Sequence, residues 1–204
     1  TLHNVDSYIE DEITLHVEIL KKNGFISDDK LTEKGLLAAN IQEMHCLAMA
    51  DIIQEHQLDT LEAAELAAVL SIFTSVSVKQ EDSVVKIEHI VAPDAVKQVI
   101  KRIQKSYDKY YDIESFNKTA FANDYDIHYN ICELVYKWSN ADDEATCYKI
   151  FEEALYYNIS RGEFVKAMMK INNISNELIK IAEIQSNMAL LEKIKQIPDI
   201  LLKS

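Results

Sequence analysis

Lys166, Lys170, Asn173 and Glu177 recur at steps of four, three and four residues within one stretch of the chain. On a helix of 3.6 residues per turn these positions form a single row. Two ammonium groups and an amide in a row suit a polyanionic backbone. An ammonium meets phosphate as a point charge, and an amide donates hydrogen bonds to its oxygens. Arg161 adds a cation at the start of the same stretch. Between 160 and 182 the cations Arg161, Lys166, Lys170 and Lys180 outnumber the carboxylates Glu163 and Glu177, although the whole chain carries a formal net charge of −13. The competing account of such a row is an ordinary solvated helix face.

The other constellations are weaker. His128 and Cys132 are four apart, a spacing two metal ligands can use, but no second pair completes a site, so core roles are expected for both. Asp142-Asp143 and Glu152-Glu153 read as helix-start or surface charge. Tyr107, Tyr110 and Tyr111 read as one inward ring with two at a groove rim, and Trp138 as a packing residue sharing a side with Leu134. No Walker A sequence, DExH box or glycine-rich phosphate loop occurs. The chain alone therefore has no catalytic residues for ATP hydrolysis.

A long amphipathic helix must carry the lysine row. Phe164, Ala167, Met168, Ile171, Ile174, Leu178 and Ile181 form its apolar stripe over 160–182, which predicts that it packs into a bundle. Upstream, 6–23 reads as a helix with Ile9, Ile13, Val17 and Leu20 on one face and Gly24 as its stop. Phe25 to Leu31 then read as strand, two-residue Asp28-Asp29 turn and strand, the wing of a winged helix, with a plain helix–loop–helix as the alternative. Residues 34–57 read as one long helix. The next, 61–76, is apolar almost all round, opens at Asp59 or Thr60, and belongs at a domain centre. The stretch 77–92 reads as a connector, followed by helices over 94–111, 127–139, 142–155 and 188–202, the last interrupted at Pro198.

Composition agrees. Three glycines and two prolines in 204 residues are too few for the tight turns of an all-β fold. The fold class expected is all-α, a multi-helix bundle with a small winged-helix remnant at its N-terminus. No apolar run is long enough to span a bilayer. Three scattered cysteines, Cys46, Cys132 and Cys147, argue against a disulfide framework and for an intracellular setting. The net charge excludes broad nucleic-acid binding over the whole surface but leaves room for a local basic channel. Only Arg102 and Arg161 among the 21 basic residues are arginine, which suggests AT-rich coding of a kind found in viral or protist genomes. The chain reads as an excised fragment.

Three blocks, in order, resemble the C-terminal DSHCT domain of superkiller-type DExH RNA helicases. The first is LTEKGLLAANIQEMHCLAMADII over 31–53, where Lys34, Gly35, Ala38 and Ile41 match and His45-Cys46 replaces an acidic pair. The second, LDTLEAAELAAVLSIF over 58–73, matches at Ala67, Val69, Leu70, Ser71 and Phe73. The third carries Val135, Tyr136 and Trp138 and then the helix start from Arg161-Gly162. The resemblance implies that 1–34 are the tail of a winged-helix domain and 35–204 a DSHCT-like domain, with 126–204 containing a ratchet helix that lines a single-strand channel. It implies nucleic-acid contacts at Lys166, Lys170, Asn173 and Arg161. The family's arginine and second glutamate on that helix align with Lys170 and Asn173. It further implies single-stranded RNA, the motor domains of the same chain and an exonuclease complex as partners, no membrane, and ATP and Mg for the parent protein. A protein-interaction module without nucleic acid, and the same module in a DNA helicase, are the rival readings.

Overall fold

The computed structural model describes residues 2–122 and 126–203. Helix α1 (Leu2–Lys22) closes on Gly24, whose φ of +83° is the left-handed conformation a helix stop requires. The Gly24 N–H donates to the Lys21 carbonyl and the Phe25 N–H to the Leu20 carbonyl, so two carbonyls of the last turn are satisfied by the stop itself. The chain then forms the expected hairpin. Strands β1 (Ile26–Ser27) and β2 (Lys30–Leu31) pair antiparallel across Asp28-Asp29, both at positive φ, as a two-residue primed turn demands.

Four helices build the first half of the bundle: α2 (Glu33–Ala39), α3 (Cys46–Gln54), α4 (Ala63–Leu70) and α5 (Asp94–Asn117). The second half is α6 (Cys132–Ser139), α7 (Glu144–Tyr156), α8 (Arg161–Ile184), α9 (Met188–Lys195) and α10 (Ile197–Leu201). Helix α4 packs against α5, α6, α8, α9 and α10. Leu66, Ala67, Ala68, Val69 and Leu70 are all fully buried, so a helix with no wet face does lie at the centre. The architecture is an all-α multi-helix bundle.

Several boundaries differ from the sequence reading. The helix expected over 34–57 is two helices. It breaks at Asn40 because the Glu177 carboxylate, far along the chain, accepts the N–H groups of Gln42 and Glu43, and His45 then caps α3 by accepting from the Ala48 N–H. Helix α4 is opened by Glu62, not Asp59 or Thr60; the Glu65 carboxylate accepts the Glu62 N–H at 2.9 Å. It gives way to a tight 3₁₀ turn over Ser71–Phe73 rather than running to 76. Helix α5 extends to Asn117, beyond the expected 111, and it buries Tyr110 as well as Tyr107, leaving only Tyr111 at the rim. Residues 127–131 precede α6 instead of belonging to it, since the His128 N–H is spent on the Ile72 carbonyl at 2.9 Å. In α1, Ile9 and Ile13 are exposed and Ile19 is buried. Only the end of that helix reaches the body, where His16 hydrogen-bonds Thr119 and lies against Phe121.

The core roles expected for Trp138 and Cys132 hold. Trp138 packs on Phe151 and Phe164 and donates its Nε1–H to the Leu201 carbonyl at 2.9 Å, joining α6, α7, α8 and α10. Burial pushes the Cys132 thiol up to about 12.

Candidate nucleic-acid interface

Helix α8 begins with a reciprocal cap. The Glu163 N–H donates to Ser160 Oγ, and the Glu163 carboxylate accepts the Ser160 N–H at 2.9 Å. The Ser160 N–H and the Ser160 hydroxyl, both donating to it, hold the Glu163 carboxyl below the usual carboxylate range, so its charge stays tied to the helix start. From there the apolar stripe runs without a gap: Phe164, Ala167, Met168, Ile171, Ile174, Leu178 and Ile181 are all buried. Helix α8 lies against α4, α7, α9 and α10, which fixes its rotation about its own axis. That rotation places Lys166 and Lys170 together in the wall of one groove.

The groove has a cavity volume of about 400 Å³ and is lined by Phe73, Thr74, Ser75, Val76, Glu163, Lys166, Ala167 and Lys170. Its second wall is the extended chain that leaves α4. Thr74 caps the turn by donating its hydroxyl to the Ser71 carbonyl at 2.6 Å. The Val76 carbonyl accepts from Asn130 Nδ2, and Asn130 Oδ1 accepts the Val84 N–H at 3.0 Å. One asparagine side chain thus pins the wall at two points, and the His128 bond to Ile72 pins it at a third. Both walls are thus held by bonds and packing within the fold.

The four expected contact residues separate in the structure. Lys166 is exposed at the groove and makes no ion pair among the described residues. Lys170, half-buried, forms an ion pair with Glu43 in the loop between α2 and α3. Asn173 is exposed one turn further on. Arg161 is not in the groove, because its guanidinium lies over the Phe151 ring, 4.4 Å from the centroid. Its charge is directed at the aromatic cluster of α7 and α8.

Two residues whose roles local reasoning missed shape this surface. Glu177, the last of the polar row, accepts the Gln42 N–H at 2.6 Å and the Glu43 N–H at 3.1 Å. Burial raises its carboxyl above the usual range, with the nearby Glu43 charge adding to the effect and the two N–H bonds and Lys170 opposing it. Glu43 is the other. No local signal marks it, since it lies 127 residues from its partner in sequence. The loop that carries it also roofs a second cavity of about 380 Å³, which includes His45, Tyr107 and Phe121 and meets the first at Phe73. There the His45 Nδ1 is occupied as an acceptor, so its Nε2–H is the donor to Glu114 at 3.0 Å.

Nothing in this arrangement fits a nucleoside triphosphate site. Gly24 and Gly35 serve the hairpin and α2, Gly162 lies in the first turn of α8, and no loop groups glycines to cradle phosphates. Among the described residues no cluster of three or more His, Cys, Asp or Glu side chains is arranged to hold a metal ion, and no helix is long and apolar enough to cross a membrane. The groove is lined by two amines, the Glu163 carboxylate, Thr74, Ser75 and the Phe73 ring. The family model of the DSHCT (NUC185) domain matches residues 28–203. No curated protein matches the chain.

Proposed function

The chain belongs to the DSHCT (NUC185) domain family, a helicase-associated module, and we propose that it forms the stretch of an RNA helicase over which the unwound single strand slides. Helix α8 is the floor in this reading. Lys166 and Lys170 take successive phosphates as point charges, Asn173 offers an amide to the next sugar or phosphate, and the 73–76 wall keeps the strand on the row. The observation that carries the reading is that both amines line one concavity, built on a helix locked by packing on several sides. A lysine row grips the backbone without reading bases, as a translocating strand requires. ATP and Mg belong to motor domains of the parent protein, and a 3′-to-5′ exonuclease is the expected consumer of the displaced strand. On this reading α1 and the hairpin are the tail of a winged-helix domain. Arg161 stands outside the groove, with its guanidinium over the Phe151 ring.

The test is fluorescence anisotropy of a labelled oligouridylate against the chain and its Lys166→Gln and Lys166→Glu variants across a salt series. Loss of one phosphate contact reduces the slope of log K against log salt by about 0.7 for single strands, and charge reversal weakens binding further. Equal affinities and slopes in all three proteins remove the lysine row from the mechanism. Competition with the matching deoxy-oligonucleotide separates an RNA from a DNA module.

A second reading, a protein-interaction module, is favoured by two observations. Glu163 in the groove and Glu43 beside it offset the charges of Lys166 and Lys170. On α7, Tyr148, Leu155 and Tyr156 are more than half exposed on one flank, beside the exposed Glu152. Absence of oligonucleotide binding at low salt, together with protein capture that depends on Tyr148 and Tyr156, is its signature.

A further inference from the structure

Glu43 occupies Lys170. Its carboxylate sits on the ammonium at the junction of the two cavities, where Lys170 belongs to the rim of one and Glu43 to the rim of the other. Both side chains remain about two-fifths exposed, at 40% and 39%. A pair that wet is easily separated. The Glu43 backbone is different: its N–H and that of Gln42 are held by Glu177, so the loop is anchored to α8 independently of the ion pair. Only the Glu43 side chain has to turn for Lys170 to be released.

We propose that Glu43 is a resident phosphate mimic, and that a strand entering the groove binds by exchanging this carboxylate for a phosphodiester on Lys170. The proposal rests on the strand-binding reading above and adds a competitor to it. A carboxylate and a phosphate oxygen present the same partner to an ammonium, so the exchange conserves the ion pair. The liberated Glu43 then stands beside the strand as a like charge and opposes its tightest seating. The device sets weak, reversible grip at one point of the row, whereas Lys166 grips without competition. It also makes the groove selective for polyanions, because a single phosphate gains little over the carboxylate already present.

The experiment uses this chain, its Glu43→Gln, Lys170→Gln and Lys166→Gln variants and the Glu43→Gln/Lys170→Gln double variant, with labelled oligouridylate at low ionic strength. Glutamine at 43 keeps the backbone N–H on Glu177 and removes only the charge. Glu43→Gln is expected to bind about two- to fivefold tighter, the range that loss of one exposed ion-pair competitor implies. The gain is expected to disappear in the Lys170→Gln background. An equal gain with and without Lys170 overturns the exchange and reduces Glu43 to one acid among many, while the groove reading survives. Unchanged or weaker binding by Glu43→Gln, with Lys166→Gln still impaired, overturns the exchange alone. If no variant responds and Lys166→Gln binds like the parent chain, the strand-binding reading falls and the exchange falls with it.

Discussion

Asp51 is the most consequential charge inside the bundle, and Asp51→Asn tests the account of how the first half is held. Asp51 lies on α3 and is almost fully buried. Its Oδ1 accepts from Lys34 Nζ of α2 at 2.6 Å, and its Oδ2 accepts from Tyr110 Oη at 2.6 Å and Lys109 Nζ at 3.1 Å, both of α5. One carboxylate therefore ties three helices. Burial pushes its carboxyl up, but Lys34, Tyr110 and Lys109 together outweigh burial and leave it below the usual range. Asparagine keeps the shape and one acceptor but leaves the Lys34 ammonium uncompensated. Lys109 is half exposed and can turn to water, whereas Lys34 is 18% exposed and lies over the Phe25 ring. Breaking a buried pair costs about 3–5 kcal/mol; the residual exposure of both partners places this one near the lower end, at about 3 kcal/mol. The assay is urea unfolding followed by far-ultraviolet circular dichroism. A depressed carboxyl contributes stability that is present above its unfolded value of about 3.9 and is lost as pH falls through the lower folded value. The gap between parent and variant must therefore be widest at neutral pH and close in acid. A gap under about 1 kcal/mol at neutral pH, or one that stays constant into acid, refutes the reasoning.

Gly35→Ala should destabilise, against the usual gain of about 1 kcal/mol when alanine replaces a helical glycine. A Cβ there would lie 2.0 Å from the Phe25 carbonyl oxygen and 3.1 Å from Leu31 Cδ2, so the hairpin must separate from α2. We expect a loss of at least about 2 kcal/mol, a fall in melting temperature of roughly 4–8 °C, and an unchanged or higher melting temperature refutes the contact. Glu177→Gln replaces one of two acceptors for the Gln42 and Glu43 N–H groups with a donor, at a cost of about 1–3 kcal/mol. Because the folded carboxyl of Glu177 is raised, its contribution is fully present below its unfolded value of about 4.3 and lost as pH rises through the folded one. The difference between parent and variant should shrink with rising pH, opposite to Asp51, and urea titrations at two pH values decide the sign.

What the sequence made legible and what it hid divide along a physical line. Helices α5 and α8 were readable because their apolar residues recur at three- and four-residue steps, and α4 because a run apolar almost all round has to lie at a domain centre. The apolar stripe of α8 is buried residue for residue, and its start at Ser160 follows from a local cap. The hairpin was readable for a similar reason, since Asp28-Asp29 encodes its own turn. The break in 34–57 was not readable. No proline or glycine interrupts 40–45, and the bonds that redirect the chain come from Glu177. The same holds for the exposed face of α1, whose pattern promises a partner that only its last turns find. Arg161 is five residues from Lys166, about 140° around the axis, so spacing alone sets it off the lysine row, and the structure turns its guanidinium onto the Phe151 ring. Glu43 is the opposite case. The spacing of Lys170 predicts an amine in a groove, but whether that amine is available depends on a carboxylate brought to it by the tertiary fold. Sequence periodicity can assign a charge to a face. Whether that charge is free to bind is a property of the assembled bundle, and here it differs between two lysines one helical turn apart.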